Sequence, residues 1–219
     1  FLAISIALFG LGAGGVFSYV VAGRRGNFFA KLGALAVVNA VLVLIGLVFV
    51  LTRQGEPDSW TLALVYFTSA LPFFTAGTIL SLVIADTIER VNRVYFADLL
   101  GAAAGCLTLI PLLELLGGPN TVIAAGLLFA VSSAVWYSLA GAAKWRNAAI
   151  GVSAAVFVLL AINAWRPVID VKYAKGKILR GEHFVKWNSF SRIGVTGSRG
   201  SAMVFIDADA STGIPAFDP

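Results

Sequence analysis

Two carboxyl groups, Asp98 and Glu114, stand in a long apolar stretch, where an ionised side chain is expensive and is by default a functional candidate. On one helix they would be 16 residues apart, about 24 Å along the axis. That is too far to share one site, so each is read alone. Asp98 follows Arg90 and Arg93, and an ion pair anchoring the loop is its expected role. Glu114 comes just before Gly117-Gly118-Pro119. Reaching the interface, bonding a neighbouring helix and carrying a proton or ligand are all open to it. Asn39 and Asn163 lie in apolar runs and are expected to hydrogen-bond neighbouring helices rather than bind substrate.

His183 is the only histidine, with no cysteine nearby, so a metal site is not expected. Asp207 and Asp209 alternate with Ala208 and Ala210. In a strand the two acids would face the same way, as exposed strand-end residues or as a cation-binding pair. No serine sits in a nucleophile elbow, and no G-x-G-x-x-G opens a helix after a strand. Gly197-Ser198-Arg199-Gly200 is too short for a phosphate loop and reads as a hairpin turn.

The elements that must position these groups are apolar. Hydrophobic residues make up 59% of the 219 residues, charged residues 12%, and the mean hydropathy is +0.90. A soluble domain carries about 25% charged residues. Spans of about 20 apolar residues cross a bilayer, and six are read near 1–22, 32–52, 60–85, 94–116, 121–141 and 148–165. The runs are continuous rather than alternating, which excludes a barrel. The expected fold is an all-α polytopic membrane bundle over 1–165, followed by a soluble β hairpin or meander over 166–219. Strands are expected at 182–188, 190–196 and 202–208. Both chain ends read as cuts through a larger protein.

Gly10 and Gly14 form one small-residue pair for helix packing, and Gly101 and Gly105 another, continued by Ala102 and Cys106. Pro72 and Pro111 lie inside spans and are expected to kink them. Cys106 is the only cysteine and can form no intrachain disulfide.

The net charge is +5. The basic residues lie mostly in loops and tail, which points to topology and lipid headgroups as partners and away from nucleic acid. Arg24, Arg25, Lys31, Arg90, Arg93, Lys144 and Arg146 all fall in the odd-numbered loops, against Arg53 alone in the others. The positive-inside rule then places the odd loops in the cytoplasm and the tail after Trp165 outside. Arg166, Lys172, Lys175, Lys177 and Arg180 at the last exit pull the other way, but they open a longer soluble segment.

The stretch from Pro72 to Asn120 resembles the membrane region of bacterial spermidine-synthase-like integral membrane proteins. The likeness rests on Phe73-Phe74, Gly77, Leu80-Ser81, Tyr95-Phe96-Ala97-Asp98-Leu99-Leu100-Gly101-Ala102, Gly105-Cys106-Leu107 and Gly117-Gly118-Pro119. A second patch, Lys186-Trp187-Asn188-Ser189-Phe190-Ser191-Arg192-Ile193, looks like the lead into that family's transferase-like domain, and Ile206-Asp207-Ala208 continues it. The resemblance implies a bacterial cytoplasmic-membrane anchor for a Rossmann-like domain. In true spermidine synthases that domain moves an aminopropyl group from decarboxylated S-adenosylmethionine to putrescine. The family's cofactor loop and catalytic aspartate have no counterpart in this chain, so neither cofactor nor catalytic residues are expected within it. Two other readings stand beside this one: an accessory subunit of a larger electron-transfer or photosynthetic membrane complex, and a transporter. The transporter lacks the convergent mid-membrane polar groups and the internal repeat such proteins use.

Overall fold

Long apolar runs bonded internally along their own backbone fold here as five helices: α1 (Leu2–Ala22), α2 (Phe28–Thr52), α3 (Ser59–Asp86), α4 (Val91–Leu139) and α5 (Ala143–Trp165). The computed structural model describes residues 2–23, 26–53, 58–174, 177–179, 181–197 and 201–215. Arg24, Arg25, Lys175, Arg180 and most of the expected turn at 197–200 lie outside them. Asn27 caps α2 by accepting from the Ala30 amide at 3.2 Å, and Asp58 caps α3 by accepting from the Thr61 amide at 2.8 Å. Hydrogen bonding by Thr61, side chain first and then backbone, holds the Asp58 carboxyl below its ordinary range. Because the folded value is depressed, the cap's contribution is present above the free-carboxylate range and fades as pH falls through the lowered value.

Among the described residues five helices, rather than the six expected, are long and apolar enough to cross a membrane. The difference lies in α4, whose 49 residues absorb the fourth and fifth expected spans. No loop separates them. Gly117 alone leaves helical geometry, at φ 79° and ψ 169°, and Pro119 suits the first turn that follows. On a straight helix Asp98 and Trp136 would stand about 57 Å apart. Instead Val94, Ala97 and Asp98 line one groove together with Phe129 and Trp136. The chain therefore doubles back near Gly117, and α4 has two arms, 91–116 and 118–139.

Small residues set the helix contacts. At Gly10 an added Cβ would stand 2.8 Å from the Ala70 carbonyl oxygen, and at Gly14 and Gly77 it would run into the backbone of Phe74 and Leu11. The Thr78 hydroxyl donates to the Gly14 carbonyl at 3.0 Å, closing the α1–α3 interface. Ser133 on the second arm donates to the Gly33 carbonyl at 2.7 Å, and the Tyr137 ring covers Gly33. A buried cluster of Val21, Leu32 and Leu82, with Trp136 packed against it, ties α1, α2, α3 and the second arm together.

The arm 91–116 is different. It is exposed almost throughout, and among the described residues nothing beyond the helix's own backbone lies within 4 Å of where a Cβ on Gly101 or Gly105 would be. The packing expected of that pair finds no partner here.

The helices alternate in direction. Lys31 Nζ donates to the Val21 carbonyl at 3.1 Å, and Asn27 Nδ2 to the Ala140 carbonyl at 3.3 Å. The loops after α1, α3 and α4 thus share one end, with Lys31, Arg90, Arg93, Lys144 and Arg146. The Gly117 reversal and the exit of α5 share the other.

Beyond α5, β1 (Tyr173–Ala174) pairs with β2 (Lys177–Ile178). A separate antiparallel meander runs β3 (Glu182–Trp187), β4 (Arg192–Thr196), β5 (Ser201–Ile206) and β6 (Ala210–Pro215). The three expected strands form, and β6 adds a fourth. Asp207 and Asp209 are not strand residues facing one way. Pairing of Ile206 with Ala210 leaves three residues to reverse the chain, and Asp207 (φ 52°) and Ala208 (φ 61°) make that turn in left-handed geometry.

Gly14→Val is expected to lower the melting temperature of the detergent-solubilised protein, at a cost of about 1–3 kcal/mol for overpacking. Gly12→Val, where no other described residue lies within 4 Å of the added Cβ, should leave it unchanged.

Candidate functional site

The polar residues that the fold does bring together lie where α5 leaves the bundle. Asn163, two residues before the end of α5, is 2% exposed. Its Nδ2 donates to Asn120 Oδ1 at 2.7 Å and to the Ile169 carbonyl at 3.0 Å. Its Oδ1 accepts from the Val168 and Ile169 amides at 2.9 and 2.7 Å. All four hydrogen bonds of one amide are made, which leaves the departing chain a single path. Asn120 Nδ2 donates to the Leu116 carbonyl and Thr121 Oγ1 to the Gly117 carbonyl, both at 2.8 Å. Those two carbonyls flank the reversal, where regular helix bonding stops.

The sheet meets the same point. Trp187, the last residue of β3, lies against Gly117 and Gly118; a Cβ on Gly118 would stand 2.7 Å from Trp187 Cη2. A cavity of about 230 Å³ at this joint is lined by Leu116, Pro119, Asn120, Asp170, Val185 and Trp187, among others.

Arg192 opens β4 and forms a two-pronged ion pair with Glu182: Nη1 to Oε1 at 2.8 Å and Nη2 to Oε2 at 2.6 Å, with side chains 7% and 8% exposed. A bulge between Glu182 and Phe184 and the bare backbone of Gly194 let the carboxylate lie across the sheet. Donating to the Glu182 carboxylate raises the Arg192 guanidinium above its ordinary value; burial opposes this, and the charges of Glu182 and Asp170 add to it. A raised cation pKa means its stabilisation is complete below the unfolded value and lost only at strongly alkaline pH. Arg192 Nε is buried without a partner.

The Arg192 amide donates to Asp207 Oδ1 at 2.8 Å, so Asp207 joins the β5–β6 turn to β4. Asn188 Oδ1 accepts from the Phe190 and Ser191 amides at 2.8 and 2.7 Å, so Asn188 and Ser191 shape the β3–β4 turn.

Other expected residues sit apart from this joint. Asp98 makes no ion pair with Arg90 or Arg93; its arm carries it into an apolar groove instead. Glu114 is exposed and has no partner among the described residues. His183 is exposed at the bulge, and no three His, Cys, Asp or Glu side chains cluster as metal ligands among the described residues. Asn39 departs from expectation: both its amide atoms are fully buried without a hydrogen bond. Asn120, Asp170 and Glu182 were not singled out from sequence. For Asn120 the signal was available, a polar residue directly after Gly-Gly-Pro between two apolar runs.

The joint can position and hold, and its groups form no nucleophile–base pair. The residues present do not fit decarboxylated S-adenosylmethionine. Among the described residues no glycine loop leads from a strand into a helix, and the bare backbone at Gly194 is already covered by Glu182. No protein-family model matches this chain, and neither a curated protein nor a solved structure matches it significantly.

Asn163→Leu is expected to release residues 166–170, read as faster amide exchange and earlier proteolysis there. The bundle itself should stay helical by circular dichroism. Glu182→Gln leaves Arg192 buried without its counter-charge and should cost about 3 kcal/mol. The double variant with Arg192→Met should recover part of that loss in a denaturation cycle.

Proposed function

We propose that this chain is the multi-pass membrane region of a bacterial spermidine-synthase-like protein of the cytoplasmic membrane, and that it holds a transferase-like domain at the outer surface. The observation that carries this reading is one contact. The two patches that resemble that family, Pro72–Asn120 and Lys186–Ile193, touch where Trp187 lies on Gly117 and Gly118. Residues far apart in sequence but alike in family character thus form one joint between bundle and sheet.

In this reading both arms of α4 cross the membrane. Each has the roughly 20 residues a crossing needs, and the resulting six crossings put the basic end in the cytoplasm and the sheet outside. Decarboxylated S-adenosylmethionine would be bound by the downstream domain, if at all. An outer location removes that domain from cytoplasmic pools of the cofactor, which favours a non-catalytic or altered use of the transferase fold.

Cysteine accessibility tests the orientation. In a Cys106→Ser background, Ser189→Cys should react with a membrane-impermeant maleimide in intact spheroplasts, and Gly141→Cys only after lysis; the reverse pattern overturns the orientation. Reading the gene beyond Pro219 tests the family: absence of a strand–glycine loop–helix unit there rejects it.

The exposed arm 91–116 favours a second reading, an accessory subunit of a larger membrane complex such as an electron-transfer or photosynthetic one. Purification in mild detergent separates the two: a stable larger particle supports the subunit, and a lone monomer counts against it.

A further inference from the structure

We propose that the cavity between the last turn of α2 and the segment leading out of α5 binds the headgroup of a zwitterionic phospholipid with a primary ammonium, the chemistry of phosphatidylethanolamine. The inference rests on the reading that these helices cross a membrane, and on no assignment of family or activity.

The cavity holds about 300 Å³ and is lined by Val48, Leu51 and Thr52 on one side and by Val168, Asp170 and Lys172 on the other. One wall is thus mostly aliphatic, and the other brings a carboxylate and an ammonium two residues apart. The backbone under both charges is held. Asn163 accepts from the Val168 and Ile169 amides, Asp170 Oδ1 accepts from the Val171 amide at 2.8 Å, and the Lys172 carbonyl accepts from the Leu179 amide at 3.0 Å. Thr52 Oγ1 donates to the Val48 carbonyl at 2.8 Å, which leaves its lone pairs to accept.

The cavity lies at the level of a membrane surface. At this end of the bundle Trp60 in the first turn of α3 and Trp165 at the end of α5 are 78% and 80% exposed. The Arg166 guanidinium sits over the Trp165 ring at 5.1 Å, and Arg53 over Phe49 at 4.2 Å. Exposed tryptophans beside basic residues at helix ends mark the headgroup region. Phospholipid surrounds a bundle at this level, so any other occupant would have to displace it.

Charge selects among headgroups. A phosphate suits Lys172, and an ammonium with N–H groups suits Asp170. Arg192 feels the Asp170 charge, but both its Nη groups are held by Glu182. A choline headgroup has no N–H to donate and is recognised by aromatic faces. Among the described residues no aromatic side chain lines this cavity. A glycerol headgroup leaves the lipid a net anion facing Asp170, and free phosphate has the same fault and makes no use of Val48 and Leu51.

Native mass spectrometry of the detergent-solubilised chain tests this, with phosphatidylethanolamine, phosphatidylcholine and phosphatidylglycerol of identical acyl chains. The ethanolamine lipid should bind about tenfold more tightly than the choline lipid, the ratio one charge-assisted hydrogen bond supplies. Asp170→Asn keeps an oxygen for the Val171 amide and should erase that preference while both lipids still bind. Lys172→Gln should weaken both by a similar factor, and Lys144→Gln at the opposite end should change nothing. Circular dichroism of each variant checks that the helices remain. Equal binding of the two lipids, a preference that survives Asp170→Asn, or retention of no lipid each overturns the proposal. Displacement of the lipid by millimolar inorganic phosphate also overturns it, and assigns the cavity to a free anion. Carbonate extraction of membranes separates the two levels of failure. Release of the chain into the wash removes the membrane reading itself, whereas retention without an ethanolamine preference removes only the lipid site.

Discussion

The reversal at Gly117 is the constraint on which the rest of the structure depends. Without it α4 would be a rod of about 73 Å, with its second half far from α2 and α5. One residue at positive φ turns the chain, and the carbonyls left on either side are answered by Asn120 and Thr121 from the next turn. A side chain at 117 would face both a strained backbone and the Trp187 ring. The packing of α2, the second arm and α5 therefore follows from a local decision about backbone geometry.

The same point organises the sheet. Four short strands bury little surface alone, and a small meander is marginal in isolation. Here it is tied down twice: Trp187 rests on the reversal, and Asn163 holds the chain leading into it. The amide of Asn163 is worth more in this dry setting than at a surface, because any bond it loses leaves a buried polar group unanswered. The Arg192–Glu182 pair works differently. It orders the sheet from within, lying across Gly194 and reaching the β5–β6 turn through Asp207.

The bundle is unevenly satisfied. Its α1–α3 contact is close and backbone-to-backbone, and its α2–α4 contact sets the Tyr137 ring and the Ser133 hydroxyl on Gly33, while the first arm of α4 stands apart from them. Asn39 is buried with both amide atoms unbonded, a cost that packing around it has to offset. These two places, an open helix face and an orphaned amide, are where local sequence and global packing disagree, and such conflicts concentrate at functional or strained positions.

Helix identity and approximate limits were legible in the sequence, because continuous apolar runs of that length admit one internally bonded structure. Three strands and the packing role of Gly10 with Gly14 were legible in the same way. The β5–β6 turn was misread because alternation of acids suggests a strand, and only cross-strand register shows that three residues must reverse the chain there. Tertiary structure alone decided that two apolar runs share one helix assignment through a single non-helical glycine. It also decided that Asn120 and Asn163, 43 residues apart, meet, that Trp187 lands on Gly117 and Gly118, and that Gly101 and Gly105 meet no other element among the described residues. The physical reason is that periodicity and composition specify which face of an element is apolar, whereas the partner of that face depends on how the whole chain closes in space.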